Sequence, residues 1–552
     1  MHLNPRDRKP QNIIIKLYNM SILIKKTAFL LVLFSIPVVI NAQIEKKTAT
    51  KPNILIILAD DLGYSDIGCY GGEIKTPNID RLAAGGVKFA QMYNTAKCFP
   101  SRASMLTGLY YQRTNADFGN AATMGEVLRP AGYNTFWSGK QHAKFNPVTR
   151  GFDRYYGMIG GCENHFNPGF AAAPGQQVPA HKIAGNKWSL DDKNSPENSN
   201  YIPQDPKFYD TDAFTNRALT WLEEYKNDNK PFFLYMAYTA PHWPLHAWPE
   251  DIAKYKGVYD GGYEAVRQAR YKRQVKLGLI DPKTAPLPPM EIGETKPKWE
   301  SLSLEERKKE AKLMEIYAAM VDRLDQNIGR LLNHLEAQGQ LENTLVFFLS
   351  DNGGCAVDPK VDYLDPNAPL GSVASYPSYG QNWATVSDTP LRKWKTTSHE
   401  GGINTPLIVN WPAAIEARKG WSQEPVHLID IMPTVLAVSG ANYPGESKET
   451  TIHVSDGISL LPALKGDKLA RKSPLYYQFS KSAAVRDGQW KLVRLGPNWE
   501  LYNMDKDRTE TKDLIAQHPD IAKKMEAQWL AWWKDCTKTE WTGKAPKEFK
   551  DE

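Results

Sequence analysis

Continuous apolar segments of strand length alternate with amphipathic segments of helical length along most of the chain. The predicted strands are Asn53–Ala59, Tyr133–Ser138, Pro231–Tyr238, Thr344–Leu349 and Thr405–Trp411. The predicted helices are a segment capped by Thr76 with Pro77 in its first turn, Asp212–Tyr225, Leu304–Gln338 and Glu424–Ser439. Apolar strands separated by helices are typical of a parallel sheet covered on both faces. The pattern therefore predicts an α/β fold with a large, mostly parallel central sheet, over residues 50–460.

The pattern changes after about residue 465. Short strands are predicted at Pro474–Phe479, Ala484–Asp487, Gln489–Leu495 and Trp499–Met504, followed by an amphipathic helix at Asp520–Lys534. The Asp487-Gly488 pair is typical of a hairpin turn between two of these strands. Residues 465–552 are therefore expected to form a smaller α+β domain with an antiparallel sheet and a terminal helix.

The N-terminal residues resemble a targeting segment. Lys25 and Lys26 precede the apolar run Ala28–Ile40, and Asn41–Gln43 offers small residues for cleavage. This order is typical of a secretory signal, predicted over residues 1–43, and it indicates an exported, periplasmic or secreted protein. The apolar run is short for a bilayer span, so no stable membrane span is expected; an uncleaved anchor is the alternative.

Composition excludes several classes of protein. Hydrophobic residues make up 41% of the 552 residues and charged residues 24%, as in globular chains. Five of the six net positive charges fall within residues 1–42, so the remainder is nearly neutral and no nucleic-acid partner is expected. The basic run Arg267–Lys276 is interpreted as a solvated helix face. The five cysteines form no C-x-x-C pair, which makes a zinc ribbon unexpected, and their odd number leaves one without a disulfide partner.

Polar, chemically versatile side chains follow four of the predicted strands. They are Asp60, Asp61, Lys140, His142, His242, Asp351 and Asn352. Ligands bind at the carboxyl ends of strands in open parallel sheets, so these residues are expected to meet at one edge. Crowded carboxylates repel one another unless a cation lies among them, and oxygen ligands favour Ca²⁺ or Mg²⁺ over Zn²⁺. For any single aspartate, a turn or helix-cap role is the alternative.

Cys98 opens the segment Cys98–Gly108, in which Pro100 suits the first turn of a helix. The thiol would then lie at a helix N-terminus, where the helix dipole favours an anion. Taken alone, the same cysteine could equally be an inert buried thiol.

The C-x-P-S-R sequence followed by L-T-G resembles the signature of the type I, formylglycine-dependent sulfatases within the alkaline-phosphatase superfamily. Further blocks of that family stand in order at Asp60-Asp61, Ser138–His142, Thr239–His242, Ser350–Gly353 and Pro390–Gly402. The resemblance runs from about residue 52 to residue 440. It implies an alkaline-phosphatase-like fold and a sulfuric ester hydrolase, with residues 50–460 as its catalytic domain.

The resemblance also implies the working parts of the site. A maturation enzyme would oxidise Cys98 to formylglycine, and one divalent cation, Ca²⁺ or alternatively Mg²⁺, would be bound. The metal ligands would be Asp60, Asp61, Cys98, Asp351 and Asn352, and the catalytic residues would be Cys98, Arg102, Lys140, His142, His242 and Lys395. His242 is assigned as the acid at the leaving oxygen and His142 as the base, although the two histidines could exchange roles.

Two positions depart from the family pattern. Lys393-Trp394 replaces the usual glycines, so Lys393 competes with Lys395 for the sulfate; the spacing to Glu400 favours Lys395. Asn404 stands where the family often has arginine, and the support of that loop is open.

The substrate is expected to be a sulfated glycan or an aryl sulfate. Aromatic residues that could line a carbohydrate pocket are Trp137, Tyr155, Tyr156, His165, Phe166, Trp243, His246, Trp248 and Trp394, although many could equally be core residues. The alternatives are a phosphoric or phosphonic ester hydrolase of the same superfamily and an unmodified protein that only binds sulfated glycans.

Overall fold

The computed structural model describes residues 51–543 except 115–116, 144, 170–186, 193–196, 294–296, 359–366 and 445–454. The predicted signal, residues 1–43, lies outside this part of the chain. Within it, every helix is too short or too polar to cross a membrane.

A large sheet of ten described strands forms the centre of the fold. Its strands are β1 (Asn53–Ala59), β2 (Val87–Tyr93), β3 (Asn134–Gly139), β4 (Arg154–Ile159), β5 (Lys187–Leu190), β6 (Phe232–Ala237), β7 (Thr344–Ser350), β8 (Asn404–Asn410), β9 (Trp421–Ser422) and β10 (Val426–His427). The order is β10-β2-β8-β7-β1-β6-β3-β4-β5, with β9 beside β2. Five neighbours, from β7 to β4, run parallel, whereas β8 is antiparallel to both β7 and β2. The predicted large, mostly parallel sheet is confirmed.

Helices cover both faces of this sheet, as predicted. One face carries α1 (Pro77–Ala84), α4 (Asp210–Glu224), α5 (Pro249–Ala253), α6 (Gly262–Lys276), α7 (Leu304–Ala337) and α8 (Gly380–Ser387); the other carries α2 (Cys98–Thr107), α3 (Met124–Leu128), α10 (Ile431–Ser439) and α11 (Leu461–Lys465). Successive residues of a strand point to opposite faces, so Leu55 and Ile57 pack on the first face and Ile54 and Ile56 on the second. The short helix α9 (Glu400–Ile403) leads directly into β8.

A second, antiparallel sheet follows. It contains β11 (Leu475–Phe479), β12 (Ser482–Asp487), β13 (Trp490–Leu495) and β14 (Trp499–Asn503), and the last helix is α12 (Pro519–Thr537). One face packs on Trp529 and its neighbours in α12. The other face packs on Tyr93, Ala96 and Ile403 of the larger sheet's connections. The second sheet therefore lies against the segments that enter and leave the central sheet.

The interpretation of Arg267–Lys276 as a solvated face is wrong in part. These residues belong to α6, but Arg267 and Arg270 are buried. Arg270 binds Asp66 and Glu73, two acidic residues from the connection between β1 and α1. Asp66 and Glu73 lie about 200 residues away along the chain, so the sequence around Arg270 does not reveal that this arginine is buried against them.

Candidate active site

The polar residues predicted at strand ends do meet at one edge of the central sheet. Strands β7, β1, β6 and β3 are consecutive and parallel, so the residues that follow them lie in one row. These residues are Asp351 and Asn352 after β7, Asp60 and Asp61 after β1, His242 after β6, and Lys140 and His142 after β3. The topology alone therefore brings the acids, the lysine and both histidines together.

Two further segments reach the same edge because β8 is antiparallel to its neighbours. Lys395 lies just before α9 and β8, and so lies at the edge where β7 ends. Strand β2 is antiparallel to β8, so it ends at this edge, and Cys98 follows it as the first residue of α2. This places Cys98 and Lys395 beside residues from the central strands.

The acidic residues form a buried cluster with open oxygen positions. Asp60, Asp61, Asp351 and Asn352 are each at most 1% exposed. Asp60 Oδ1, Asp61 Oδ2 and Asn352 Oδ1 have no hydrogen-bond partner within the described residues. Buried polar atoms without partners are rare, so three of them in one cluster indicate a missing ligand. Carboxylate and amide oxygens are hard donors, which fits Ca²⁺ or Mg²⁺.

Three buried cations balance these acids. Lys140 Nζ lies 2.5 Å from Asp60 Oδ2, and Lys395 Nζ lies 2.5 Å from Asp61 Oδ1. Arg102 donates to Asp351 Oδ2 from Nε and Nη2, at 3.1 and 2.8 Å. Lys393 is turned elsewhere, to Glu291 at 2.6 Å. Of the two competing lysines, only Lys395 contacts the acidic cluster.

The electrostatics of the pocket favour an anion at position 98. Burial alone would raise the pKa of the Cys98 thiol, but Lys140, Lys395, His142 and His242 hold it well below its usual range. Burial and the nearby charge of Asp60 instead raise the pKa of the Asp351 carboxyl. One ligand atom from each of Asp60, Asp61, Cys98 and His242 lies within 4.8 Å of the others. The sulfur therefore lies directly beside the acidic cluster.

The two histidines approach Cys98 from different strands. His242 Nδ1 is 2.5 Å from the Trp243 carbonyl, which accepts its proton, so Nε2 faces Asp61 Oδ2 at 3.5 Å. His142 packs against Phe99, and burial followed by the charge of Lys140 lowers its pKa to about 4. His142 has a φ of 58° and Asp61 a φ of 64°, in the left-handed region that histidine and aspartate enter more often than most residues.

A second layer of side chains, not identified from the sequence, supports the Asp61 loop. Asp66 accepts hydrogen bonds from the Gly63 backbone at 2.8 Å and from the Tyr317 hydroxyl at 2.7 Å. The same hydroxyl lies 3.2 Å from the Asp61 carbonyl, and Arg270 binds Asp66 at 2.6 Å. The sequence places Asp66 close to Asp61, but Tyr317 and Arg270 come from α7 and α6 and carry no local signal.

The loop before β8 is supported from the antiparallel sheet. Asn404 Nδ2 donates to Glu400 Oε2 at 3.1 Å, and Lys491 of β13 binds the other oxygen of Glu400 at 2.7 Å. Lys491 also lies 2.8 Å from Glu510. A lysine from the second sheet therefore holds Glu400, the same side chain to which Asn404 donates.

The aromatic residues considered for a carbohydrate pocket fall into two groups. Trp137 and Tyr155 are fully buried in the core beneath the site. Phe166 and Trp248 instead line a cavity of about 1100 Å³. A chain of ring contacts runs from Phe166 through His246 to His165, and His165 contacts the His242 carbonyl. The loop after β4, which carries His165 and Phe166, therefore contacts both the His242 segment and this cavity.

Known proteins share both the blocks and the architecture. The Sulfatase family profile matches residues 52–441, and the profile "N-sulphoglucosamine sulphohydrolase, C-terminal" matches residues 394–534. An uncharacterised sulfatase of Schizosaccharomyces pombe is 33% identical over 543 residues, 89% of this chain and 94% of the relative. The arylsulfatase of Klebsiella aerogenes is 33% identical over 426 residues, 71% of this chain and 87% of the relative. The solved structure of Ps i-CgsB in complex with k-i-k-neocarrahexaose has a TM-score of 0.63 at 27% identity, covering 90% of this chain and 96% of that one.

The family profile covers most of the central sheet and its site, and the fungal relative is matched over nearly its whole length. The resemblance drawn from the C-x-P-S-R block is thereby confirmed. The chain belongs to the sulfatase family, and it is an enzyme that hydrolyses sulfate esters.

Proposed function

We propose that this sulfatase removes sulfate from sulfated carbohydrates or aryl sulfates, using formylglycine derived from Cys98 and one divalent cation. The observation that carries the proposal is the convergence at Cys98. An anion-favouring position, three buried cations and three unpartnered oxygens lie together at one edge of the sheet. The buried cations would neutralise the sulfate oxygens, and the unpartnered oxygens would hold a metal ion beside the attacking group.

Asp60, Asp61, Asp351 and Asn352 would hold the cation, together with the modified side chain of residue 98. Their oxygen donors favour Ca²⁺, with Mg²⁺ as the alternative. When bound, the cation would lower the pKa of the attacking hydroxyl and offset charge on a sulfate oxygen. The unpartnered atoms Asp60 Oδ1, Asp61 Oδ2 and Asn352 Oδ1 support this ligand set.

A maturation enzyme with a two-electron oxidant would convert the Cys98 side chain to an aldehyde, with the sulfur leaving as sulfide. The hydrate of that aldehyde would carry the nucleophilic hydroxyl. The present sulfur stands in for that oxygen. Lys140 and Lys395 flank it, and both lysines would neutralise sulfate oxygens as charge develops in the transition state. Arg102 holds Asp351 with two of its nitrogens and so keeps the acidic cluster in shape.

The histidines would move the protons. His242 Nε2 faces the cluster and would protonate the departing ester oxygen. His142 would take the proton of the second hydroxyl at residue 98, which expels sulfate and restores the aldehyde. Its pKa, lowered to about 4 by burial and Lys140, keeps this imidazole neutral and able to accept a proton at ordinary pH.

Several named relatives support a carbohydrate substrate. N-Acetylgalactosamine-6-sulfatases of dog and mouse are 27% and 28% identical to this chain, and the similar solved structure of Ps i-CgsB is a complex with k-i-k-neocarrahexaose. The predicted signal over residues 1–43 would export the enzyme to the periplasm or beyond. We therefore place sulfated glycans before small aryl sulfates as the natural substrate class.

Two measurements test the proposal. Peptide mass spectrometry of the natively produced enzyme should find residue 98 lighter than cysteine by about 18 Da, as replacement of SH and H by an aldehyde oxygen requires. The same preparation should hydrolyse an aryl sulfate faster than the matching aryl phosphate or phosphonate. An unshifted mass with tight glycan binding would instead indicate a binding protein, and a preference for the phosphoryl ester would indicate the related hydrolase.

A further inference from the structure

A fully buried histidine lies directly behind the His242 segment. His165 is 1% exposed, and its Nε2 lies 2.9 Å from the backbone carbonyl oxygen of His242. Its Nδ1 lies 2.8 Å from Asp210 Oδ2, on the first residue of α4. His165 belongs to the loop after β4, and none of the proton-transfer steps above uses it.

Both neighbours of the His165 ring are hydrogen-bond acceptors. A backbone carbonyl cannot donate, so Nε2 must carry a proton. Asp210 already accepts from Thr239 Oγ1 at 2.5 Å and from the Thr211 backbone at 2.6 Å, which is the pattern of an ionised carboxylate. Nδ1 must then carry a proton as well, and the ring is an imidazolium.

The electrostatics agree with this protonation state. Burial alone would lower the pKa of His165, but the charge and hydrogen bond of Asp210 raise it above its ordinary value. The neighbouring His246 has no such acid. Burial and the charge of His165 lower its pKa to about 3, and its Nε2 donates to the Ser375 carbonyl. Two buried imidazoles with ring centroids 5.8 Å apart therefore differ in charge.

The Asp210–His165 pair makes hydrogen bonds to both ends of the segment Thr239–His242. Thr239 is held through its hydroxyl, His242 is held through its carbonyl, and the His242 backbone N–H closes the turn onto the Thr239 carbonyl at 2.9 Å. The His242 ring is in turn tied to the Trp243 carbonyl through Nδ1. A shift of the backbone here would therefore be passed on to Nε2, the atom that faces the pocket.

We propose that His165 is a positioning residue for sulfate ester hydrolysis: as an imidazolium held by Asp210, it fixes the His242 carbonyl and thereby aims the His242 ring at the leaving oxygen. This inference rests on the proposed role of His242 as the acid. Its bond to His242, rather than its pairing with Asp210 alone, is what the reaction needs.

Two substitutions separate these two bonds. His165→Gln keeps an N–H near the place of Nε2 and so keeps a donor to the His242 carbonyl. His165→Asn keeps an N–H near the place of Nδ1, towards Asp210, and loses the bond to His242. His427→Asn is the matched control, because His427 is also fully buried but its Nδ1 accepts a hydrogen bond from the backbone N–H of Ile429 instead.

The variants are compared as metal-loaded, formylglycine-containing enzymes on aryl sulfates whose phenols range from acidic to weakly acidic. Misplacing a general acid costs most when the leaving oxygen needs the proton, so the His165→Asn loss should grow with leaving-group pKa, reaching about 10²-fold in kcat. His165→Gln should stay within about threefold of wild type, as should the control. Equal losses for all leaving groups, or a Gln variant weaker than the Asn variant, would overturn the inference.

A second measurement needs no substitution. Nitrogen-15 NMR of labelled histidine in the wild-type enzyme at about pH 8 should find both ring nitrogens of His165 protonated and His246 neutral. A neutral His165 would overturn the inference even if every variant failed to fold. Wild-type enzyme without activity on either aryl sulfates or sulfated glycans would instead count against the proposed function, which keeps the two failures distinct.

Discussion

The two lysines at positions 393 and 395 illustrate how little separates a site residue from its neighbour. Lys393 has a φ of 63°, in the left-handed region, and its side chain turns away to Glu291. Lys395 is buried and reaches Asp61. Spacing along the sequence favoured Lys395, and the contact with the acidic cluster supplies the physical reason.

Replacing these lysines in turn should therefore give unequal losses. Lys395→Ala removes the buried charge that we propose neutralises a sulfate oxygen, so kcat should fall by about 10²–10³-fold, as when one preorganised transition-state donor is lost. Lys393→Ala, the matched control, should change kcat by less than about tenfold because it removes a half-exposed pair with Glu291. Steady-state hydrolysis of an aryl sulfate measures both, and a larger loss for Lys393→Ala would reverse the assignment.

The chemistry that we propose depends most on Cys98. Cys98→Ala cannot be oxidised to formylglycine, so turnover should vanish, whereas the small change in volume should leave the fold intact. Thermal unfolding checks the fold and product release checks turnover. Cys536→Ala, a buried cysteine in α12, is the control and should keep full activity. Substantial activity of the Cys98→Ala enzyme would exclude this residue as the nucleophile.

At the scale of helices and strands, the sequence predicts an element well when residues within that element determine it, and poorly when contacts with distant segments do. β1, β6 and β7 are uninterrupted apolar runs buried on both faces, and their positions were predicted within two residues. β2 was missed, because Lys88 and Gln91 interrupt its apolar run. The segment Glu424–Ser439 was predicted as helix throughout, but α10 begins only at Ile431, because Val426 and His427 pair with β2 instead.

The residues of the site also separate into those that the sequence could place and those that it could not. Residues that directly follow strands, such as Asp60 and Asp351, could be placed together from the expected parallel topology. The contacts that His165 and Arg270 make with Asp210 and Asp66 could not be predicted, because these partners lie on other elements and become neighbours only in the folded chain. Sequence patterns thus predict which residues reach the edge of the sheet better than they predict what supports them.

The α6 helix offers a stability test with an internal control. Arg270→Met leaves Asp66 and part of Glu73 buried without their partner, so the free energy of unfolding should fall by about 3–5 kcal/mol. Arg273→Met, one turn further on, removes a side chain that is 39% exposed, with its 3.1 Å pair to Glu73 and its 2.6 Å hydrogen bond to the Gly71 carbonyl, and should cost only about 1 kcal/mol. Denaturant unfolding measures both changes. Equal, small effects would show that the Asp66 network does not support the fold.

At the scale of the whole molecule, the two sheets act on one site. Lys491 reaches Glu400 from the antiparallel sheet, and Ile403 packs between the two parts. The central sheet supplies the acids, and the second sheet secures the loop that carries Lys395. The boundary predicted near residues 460–465 stays a prediction, but the two sheets share contacts at the active edge.

Cation binding should accordingly stabilise the entire fold. An ion that binds only the folded state adds about 2.7 kcal/mol at a concentration of 100 Kd, so a chelator should lower Tm and added Ca²⁺ should restore it. Elemental analysis of the untreated enzyme identifies the ion. Asp351→Asn should weaken the response to the chelator, since it removes one ligand charge. A Tm unchanged by complete metal removal would contradict the proposed site.

The burial of Cys98 limits when the proposed modification of this residue can take place. Only 2% of this residue is accessible, and it lies where strand β2 gives way to helix α2. A maturation enzyme that must bind the peptide segment around Cys98 could not reach it once the central sheet has folded. Conversion would then have to happen on the nascent or freshly translocated polypeptide, and a copy that folds too early would remain a thiol for good.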